Sequence, residues 1–207
     1  GLVVATRLDA HDVAGSQRSR NTIKHKMPLN GYWIFGAMFF LMAASQTLFV
    51  TFGSWLEDEF GFTEAGISAV VFGLGAFELL ASVTSARRTD TWGKERSTIF
   101  GAALILPAGL LLTFGHNNAV LGLILLGIYL LGFEFSIVSI LPLAANLIPE
   151  SPGRGLGIVL AGGTLGRAAM SFGGTAAYDK FGINVPSFIG AVCAAGMIAC
   201  IVAYGRT

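Results

Sequence analysis

The sequence predicts an all-α membrane protein with six transmembrane helices, and three observations support that fold class. Hydrophobic residues make up 54% of the 207 residues and charged residues only 12%, and the mean hydropathy is +0.70. A soluble domain needs about 25% charged residues to cover its surface, so we expect lipid to cover much of this one. Six apolar segments reach the roughly 20 residues that a membrane-spanning helix requires, and the ten-residue alternation of barrel strands is absent from the sequence.

The predicted spans follow one another with short connections. Pro107 and Pro142 lie inside the third and fourth spans, which membrane helices tolerate because neighbours satisfy the freed carbonyl groups. The long fourth span is expected to tilt or to extend beyond the hydrocarbon. The six spans are Gly31–Trp55, Thr63–Ser85, Ser97–Gly115, Ala119–Ile148, Leu156–Tyr178 and Asn184–Tyr204.

The residues before the first span form a separate region. Residues 1–30 are polar and basic and lack the apolar core of a signal peptide. We therefore predict a cytoplasmic basic linker over residues 1–30, followed by a six-helix transmembrane domain over residues 31–207.

The lysines and arginines predict the orientation of the spans. One of the 13 basic residues, Arg167, lies within a span, and Lys180 lies on the side opposite the termini. The positive-inside rule then places both termini in the cytoplasm, and we expect a multi-pass protein of the plasma membrane. The basic residues on the side of the termini are Arg7, Arg18, Arg20, Lys24, Lys26, Arg87, Arg88, Lys94, Arg96, Arg154 and Arg206.

Several classes of function lack their characteristic residues. The three histidines, His11, His25 and His116, have no ligand spacing, so no metal site is predicted. The sequence contains neither a nucleotide-binding glycine loop ending in Lys-Ser/Thr nor a nucleophile constellation. Cys193 and Cys200 lie two helical turns apart, too far for a disulfide, and are predicted to be buried apolar residues. We therefore expect no enzyme, no cofactor and no nucleic-acid partner.

A short pattern, Asp-x-aromatic-Gly, recurs at the ends of three spans. It occurs at Asp58–Gly61, Asp90–Gly93 and Asp179–Gly182. The pattern is typical of a helix exit, with the aromatic ring at the headgroup level and glycine at the C-terminal cap. The last two copies occupy equivalent places in two three-span units, on opposite sides of the membrane, which favours an inverted three-plus-three repeat. The alternative is that ordinary helix-end chemistry recurs by chance.

Small residues form one face of the fifth span. Gly162, Gly166, Ala169 and Gly173 are spaced four, three and four apart, which predicts close approach of a neighbouring backbone. The second span has a weaker version in Gly73 and Gly75. Packing alone accounts for both patterns, and the functional alternative is that smooth contacts permit rocking between helices.

The stretch Ala86–Arg96 resembles the cytoplasmic loop motif of major facilitator superfamily transporters. That motif is Gly-x-x-x-Asp-x-x-Gly followed by basic residues, and it lies between helices 2 and 3, with a weaker copy between helices 8 and 9. Three positions match and two depart: Asp90, Gly93 and Lys94 match, Ala86 replaces the first glycine, and Glu95 interrupts the basic pair. Such a degraded motif suits the second copy.

Further stretches are similar to the drug- and sugar-efflux members of this superfamily. Trp55–Phe62 and Phe72–Leu79 are similar to their helices 7 and 8, and Ile148–Gly155 resembles their loop between helices 10 and 11. The resemblance covers about Pro28 to Ala203 and implies that the six spans are helices 7–12, the C-terminal half-bundle of a twelve-helix transporter. Since such transporters place substrate between two halves, it also implies a partner: an N-terminal six-helix half, a second copy or other membrane subunits.

The function that the resemblance implies is secondary transport of a small molecule by alternating access, with proton coupling as one form of it. The alternative is a non-transporting accessory subunit that scaffolds a larger membrane complex. The resemblance also implies a cytoplasmic gating motif that steadies the outward-open state. Its residues would be Glu78, Arg88, Asp90, Gly93, Lys94 and Arg96.

Two opposite charges lie deep in the fourth and fifth spans. A charge at the bilayer centre costs roughly 2.5–3.5 kcal/mol on insertion scales, so Glu134 and Arg167 are expected to be paired, functional or both. At 1.5 Å per residue they lie ~21 Å and ~17 Å from the cytoplasmic ends of their spans. Because consecutive helices are often neighbours, these similar depths make an ion pair between them reasonable. We expect Glu134 to exchange protons, and Arg167 to tune it or to bind an anionic substrate; the alternative is a fixed structural pair.

Neutral polar residues in the spans are the remaining candidates. By depth, Gln46 and Ser136 are the best candidates for lining a transport pathway, although interhelical hydrogen bonding is the alternative for each. Glu78 lies nearer the cytoplasmic end of its span, where it is expected to reach toward Arg87, Arg88 or Arg96.

Overall fold

The computed structural model describes residues 28–206, apart from the side chains of Arg88 and Asp90, and the regular elements in that range are helices. The first two helices together form one span, so the described residues contain six candidate membrane spans, as predicted. The predicted linker lies almost entirely outside the described residues. The helices are α1 (Gly31–Phe49), α2 (Phe52–Phe60), α3 (Glu64–Trp92), α4 (Lys94–Gly115), α5 (Ala119–Ala145), α6 (Pro152–Phe181) and α7 (Asn184–Tyr204).

Side chains just outside the helices define several of the helix starts. The hydroxyl of Thr63 accepts a hydrogen bond from the backbone N–H of Gly66 at 3.3 Å, and the Asn118 amide oxygen accepts one from Leu121 N–H at 3.0 Å. Both are N-caps that satisfy a backbone donor with no partner inside the helix. Pro152 occupies the first turn of α6, where its missing N–H costs nothing.

Some observed helices end at different residues from the predicted spans, because the end of an apolar segment is not always the end of its helix. The predicted second span stops at Ser85, but α3 continues to Trp92, leaving Gly93 alone between α3 and α4. Hydropathy marks the end of the hydrocarbon contact, whereas a helix also continues through polar residues in the headgroup region. The first span is interrupted near Val50, and the fourth closes at Asn146, a few residues earlier than expected.

The three glycines of the recurring Asp-x-aromatic-Gly pattern are the residues with positive φ in the described part of the chain. Gly61, Gly93 and Gly182 have φ of 64°, 89° and 65°, and each donates its N–H to a carbonyl in the last turn of the preceding helix. Residues with a Cβ atom are strained at positive φ, whereas glycine adopts this conformation without strain. The prediction that the pattern marks helix exits is confirmed.

We expect Gly182→Ala to lower the free energy of unfolding by about 1–3 kcal/mol, because its φ of 65° and ψ of −160° fall in a region nearly restricted to glycine. Thermal unfolding of the detergent-purified protein measures this effect. The matched control is Gly157→Ala, where an added Cβ inside α6 would meet nothing within 4 Å. An equal response of both variants would contradict the backbone explanation.

Helix packing follows a two-fold pattern that relates two three-helix units. The first unit is α1 (with α2), α3 and α4, and the second is α5, α6 and α7. α1 packs against α6 and α7, the second and third helices of the other unit, and α5 packs in the same way against α3 and α4. Since α1 and α5 are the first and fourth spans, they cross the membrane in opposite directions. The units therefore form the inverted three-plus-three repeat predicted from the sequence.

Glycines allow α6 to lie directly against α1. A Cβ at Gly166 would overlap the carbonyl oxygen of Phe39, and one at Gly162 would lie 2.9 Å from that of Phe35. The predicted small-residue face is therefore right at these two positions. It is wrong at Ala169, which is exposed, and at Gly173.

The row of close contacts continues instead through Gly174, whose added Cβ would lie 3.1 Å from the Cα of Thr47. Gly166 and Gly174 are two turns apart and so share a helix face. The predicted glycine packing in α3 is also wrong, because a Cβ at Gly73 or Gly75 would meet nothing within 4 Å.

The spans differ strongly in how much of their surface the bundle covers. In the most apolar window of α3 only 6% of residues are buried, against 61% in the first span. α6 is the next least covered, at 28%. α3 and α6 therefore flank the bundle and present wide surfaces to lipid or to a partner.

Candidate transport site

Three ionisable side chains lie near the middle of their helices. Glu78 is at the midpoint of α3, and Glu134 and Arg167 lie close to the midpoints of α5 and α6. At this depth a charge is expensive and is commonly functional. The residues that surround each of these three side chains therefore determine which chemistry the site can support.

Glu134 faces α3. Its carboxylate accepts a hydrogen bond from the hydroxyl of Ser82, which lies one helical turn beyond Glu78. Residues four apart share a helix face, so Glu78 also lies on the side of α3 that faces α5. Two carboxyl groups thus lie at the interface of α3 and α5, near the middle of both helices.

The ion pair expected between Glu134 and Arg167 does not form. Glu134 is half-buried against α3, whereas the Arg167 side chain is exposed and lines a shallow surface cavity between α1 and α6, with Met42 and Thr164. The expectation assumed that consecutive helices are neighbours. In this bundle α6 packs mainly on α1 instead, and its contact with α5 is small.

A cavity of about 240 Å³ between α1, α2, α3 and α5 adjoins the carboxyl group of Glu78. Glu78 is its only ionisable lining residue, although we expected this side chain to reach toward the basic end of α3. The other lining residues of α3 all precede Glu78 in the chain, so the cavity that it lines extends away from the basic residues that follow it. The other lining residues are Leu48, Phe49, Phe52, Val71, Leu74, Gly75, Leu126 and Leu130.

The neutral candidates make interhelical hydrogen bonds. Gln46 Nε2 donates to Ser171 Oγ at 3.0 Å, joining α1 to α6. Ser136 is fully buried and its hydroxyl donates to the carbonyl oxygen of Thr98 on α4 at 3.3 Å. These contacts favour the packing role for both residues, which was the alternative to lining a pathway.

The segment that resembles the cytoplasmic loop motif forms a tight turn between α3 and α4. Arg88 and Asp90 lie in the last turns of α3, and Gly93 reverses the chain. Lys94 opens α4, and with Arg96 it lines an open cleft at this end of the bundle. We call this end of the bundle the basic end.

Polar contacts join the helix ends on the opposite side. Tyr178 donates its hydroxyl hydrogen to Asp58 Oδ2 at 2.7 Å, and His116 Nδ1 lies 3.1 Å from Glu59 Oε2. These contacts bring the end of α2, the turn between α4 and α5, and the end of α6 to one side. That arrangement matches the alternation of six spans.

Sequence reasoning missed a row of hydroxyl groups on the face of α3 that contacts α5. Ser82, Ser85 and Thr89 follow Glu78 at helical spacing. Thr89 Oγ1 and Ser139 Oγ form a buried hydrogen bond of 2.8 Å between α3 and α5. The spacing was visible in the sequence, but only the packing shows which helix the row faces.

Comparison with known protein families now adds to this geometry. The family model described as Major Facilitator Superfamily matches residues 34–207. The chain belongs to the major facilitator superfamily. Comparison with curated proteins and with solved structures gives no significant match.

The superfamily match spans nearly all of the six-helix bundle. Major facilitator superfamily proteins are membrane transporters rather than enzymes, so the match supports a transport-type function in general terms and a multi-pass membrane location. The helix count and the inverted repeat agree with one six-helix half of such a protein.

Proposed function

We propose that this chain is the C-terminal half, helices 7–12, of a secondary transporter of the drug- and sugar-efflux type, which moves a small molecule by alternating access coupled to protons. The observation that carries the proposal is the hydrogen bond between Ser82 and Glu134 near the middle of two spans, with Glu78 one helical turn away beside a cavity. Both termini would face the cytoplasm of the plasma membrane, because the basic residues gather at that end.

The two carboxyl groups are suited to carrying a proton. Ionising both would place like charges together in a medium of low dielectric constant, whereas one shared proton removes the repulsion between Glu78 and Glu134. Loss of that proton restores the repulsion, so the proton content of the pair favours one helix arrangement over another. α3 is the helix best able to respond, since little of its surface is packed.

The cavity provides one wall of a substrate site. Its volume of about 240 Å³ is below the ~300–1,000 Å³ of sites that enclose small molecules. Its lining is apolar apart from Glu78, which fits an apolar solute that carries a positive charge. A second set of helices would complete the enclosure.

The partner proposed to complete the site is an N-terminal six-helix half. It would cover the exposed faces of α3 and α6, which carry large apolar side chains such as Phe72, Phe77, Leu165 and Phe172. In a different assembly, a second copy of the chain or other membrane subunits would cover the same faces. The variants Phe72→Cys and Phe172→Cys, crosslinked in native membranes, identify which of these partners is present.

Replacing Glu134 with Gln tests the proton role. We expect Glu134→Gln to abolish accumulation driven by a pH gradient in proteoliposomes holding the full-length protein, because the amide cannot exchange a proton. Exchange of solute at equal pH should persist, since it moves no net proton. The assay follows uptake of tetraethylammonium and of larger apolar ammonium ions, together with an entrapped pH dye.

The matched control is Glu150→Gln, which removes an exposed carboxylate between α5 and α6. Unchanged accumulation in Glu134→Gln would overturn the proton role. If the wild-type protein moves none of the ions and is recovered only within a larger assembly, the non-transporting subunit becomes the better explanation.

A further inference from the structure

A line of hydroxyl groups runs from the carboxyl pair to the basic end of the bundle. We call it the hydroxyl seam and define it as Ser82, Ser85 and Thr89 of α3 with Ser139 of α5. The α3 members are spaced three and four residues apart, so they share one helix face. From Ser82 to Thr89 the seam rises ~10 Å along the helix axis, and Thr89 lies one turn before Gly93.

The two ends of the seam have partners on α5. Ser82 donates to Glu134 at the mid-membrane end, and Thr89 bonds to Ser139 at the other, in a buried contact. α3 and α5 therefore face each other through polar groups over two turns. Two largely apolar helices would not need these groups in order to pack.

Ser85 lies between these two contacts and is fully buried. Its hydroxyl oxygen has no hydrogen-bond partner, although Ser and Thr in helices can donate to a carbonyl four residues earlier, as Thr84 does to Leu80. A buried polar group left without a partner costs roughly 1–3 kcal/mol. A hydroxyl retained at that cost, in line with two bonded hydroxyls, indicates a function beyond packing.

We propose that the hydroxyl seam conducts protons between Glu134 and the basic end of the bundle. The proposal rests on the proton-coupled function above. Each hydroxyl accepts a proton on its oxygen and passes its own to the next group, so one proton leaves the Glu134 carboxylic acid and one enters water beyond Thr89. The side chains are unchanged afterwards, and Glu134 remains as the carboxylate.

The spacing suits this transfer. Groups one helical turn apart have Cβ atoms ~5–6 Å apart, a gap that one water molecule bridges. On the other side of the carboxyl pair lies the apolar cavity beside Glu78. The pair thus has a polar route toward one side of the membrane and a cavity toward the other, as exchange between the two sides requires.

The test measures how fast the carboxyl pair titrates from the basic end. Full-length protein is reconstituted in liposomes with a known orientation, the pH on the basic side is changed rapidly, and the infrared carboxyl band is followed in time. Glu134→Gln identifies the band by its loss. We expect Ser85→Ala and Thr89→Val to slow its response by about tenfold, the factor that corresponds to ~1.4 kcal/mol of barrier, and Thr89→Ser to restore it.

The matched control is Thr84→Val, which removes an exposed hydroxyl of the same helix that bonds only within α3. Ser85→Ala removes no hydrogen bond and relieves a buried hydroxyl that has no partner, so its unfolding temperature should equal or exceed that of the wild type. That result separates slow titration from damage to the fold. A band that responds at the wild-type rate in Ser85→Ala and Thr89→Val would overturn the seam and leave proton coupling standing. A wild-type protein without a titrating carboxyl band would overturn both proposals.

Discussion

Replacing Gly166 with Leu is expected to separate α6 from α1 and to cause the largest loss of stability of any single change at this interface. A Cβ at Gly166 would overlap the carbonyl oxygen of Phe39 and would lie 3.1 Å from the backbone nitrogen of Ala43. Backbone atoms cannot move aside as the end of a side chain can. Overpacking costs typically ~1–3 kcal/mol, and a contact with backbone falls at or above the upper end of that range.

The Gly166→Leu prediction can be tested by thermal unfolding, with a second glycine of α6 as the matched control. Cys193 and Cys200 are buried, so a thiol-reactive fluorescent dye reports unfolding as the detergent-solubilised protein is heated. Gly173→Leu adds the same side chain about two turns away on α6, where a Cβ would meet only the flexible end of Met170, at 3.5 Å. Equal unfolding temperatures for the two variants would contradict direct contact between α1 and α6 at Gly166.

Much of the fold was predictable because membrane insertion constrains local sequence strongly. Apolar length predicted the spans, and the recurring Asp-x-aromatic-Gly pattern predicted the helix exits at Gly61, Gly93 and Gly182. Both follow from interactions within one helix or between a helix and the bilayer. They require no knowledge of which helix lies beside which.

The site was less predictable, since it depends on helix neighbours. The expected pairing of Glu134 with Arg167 used matching depth and the assumption that consecutive helices are neighbours, and neither tells which way a side chain faces. Ser82 turned out to be the partner of Glu134 because α5 packs on α3. The expected reach of Glu78 toward the basic end also used depth alone, whereas in the structure Glu78 lines the cavity beside α5.

The inverted repeat makes two interfaces equivalent, yet their chemistry differs. The contact of α1 with α6 corresponds to that of α5 with α3. The first is made mainly through glycines, with backbone against backbone at Gly166, and has one side-chain hydrogen bond, from Gln46 to Ser171. The second carries Glu134, Ser82 and the bonded pair Thr89–Ser139. Close backbone packing resists movement, whereas polar contacts that depend on a proton can rearrange, so the proposed coupling belongs to the α3–α5 interface.

Glu78→Lys is expected to abolish accumulation driven by a pH gradient while preserving the fold. The substitution places an ammonium group one helical turn from Ser82, the residue that bonds Glu134. Separating a partly buried ion pair costs less than the ~3–5 kcal/mol of a fully buried one, so release of Glu134 to take up a proton should slow by about tenfold or more. Accumulation in proteoliposomes and thermal unfolding are measured on the same preparation.

Three variants separate charge pairing from the loss of Glu78 itself. Glu64→Lys makes the same charge change on the same helix, at an exposed position in the first turn of α3, and should leave accumulation intact. Glu78→Gln removes the repulsion without adding a cation, so it should fall between the wild type and Glu78→Lys. A Glu78→Lys protein that unfolds well below the wild-type temperature, or that still accumulates solute, would show that Glu78 and Glu134 do not act as a pair. The double variant Glu78→Lys/Glu134→Gln tests the pairing directly. If the two residues pair, the double variant is less stable than Glu78→Lys alone, because the ammonium group then loses its partner.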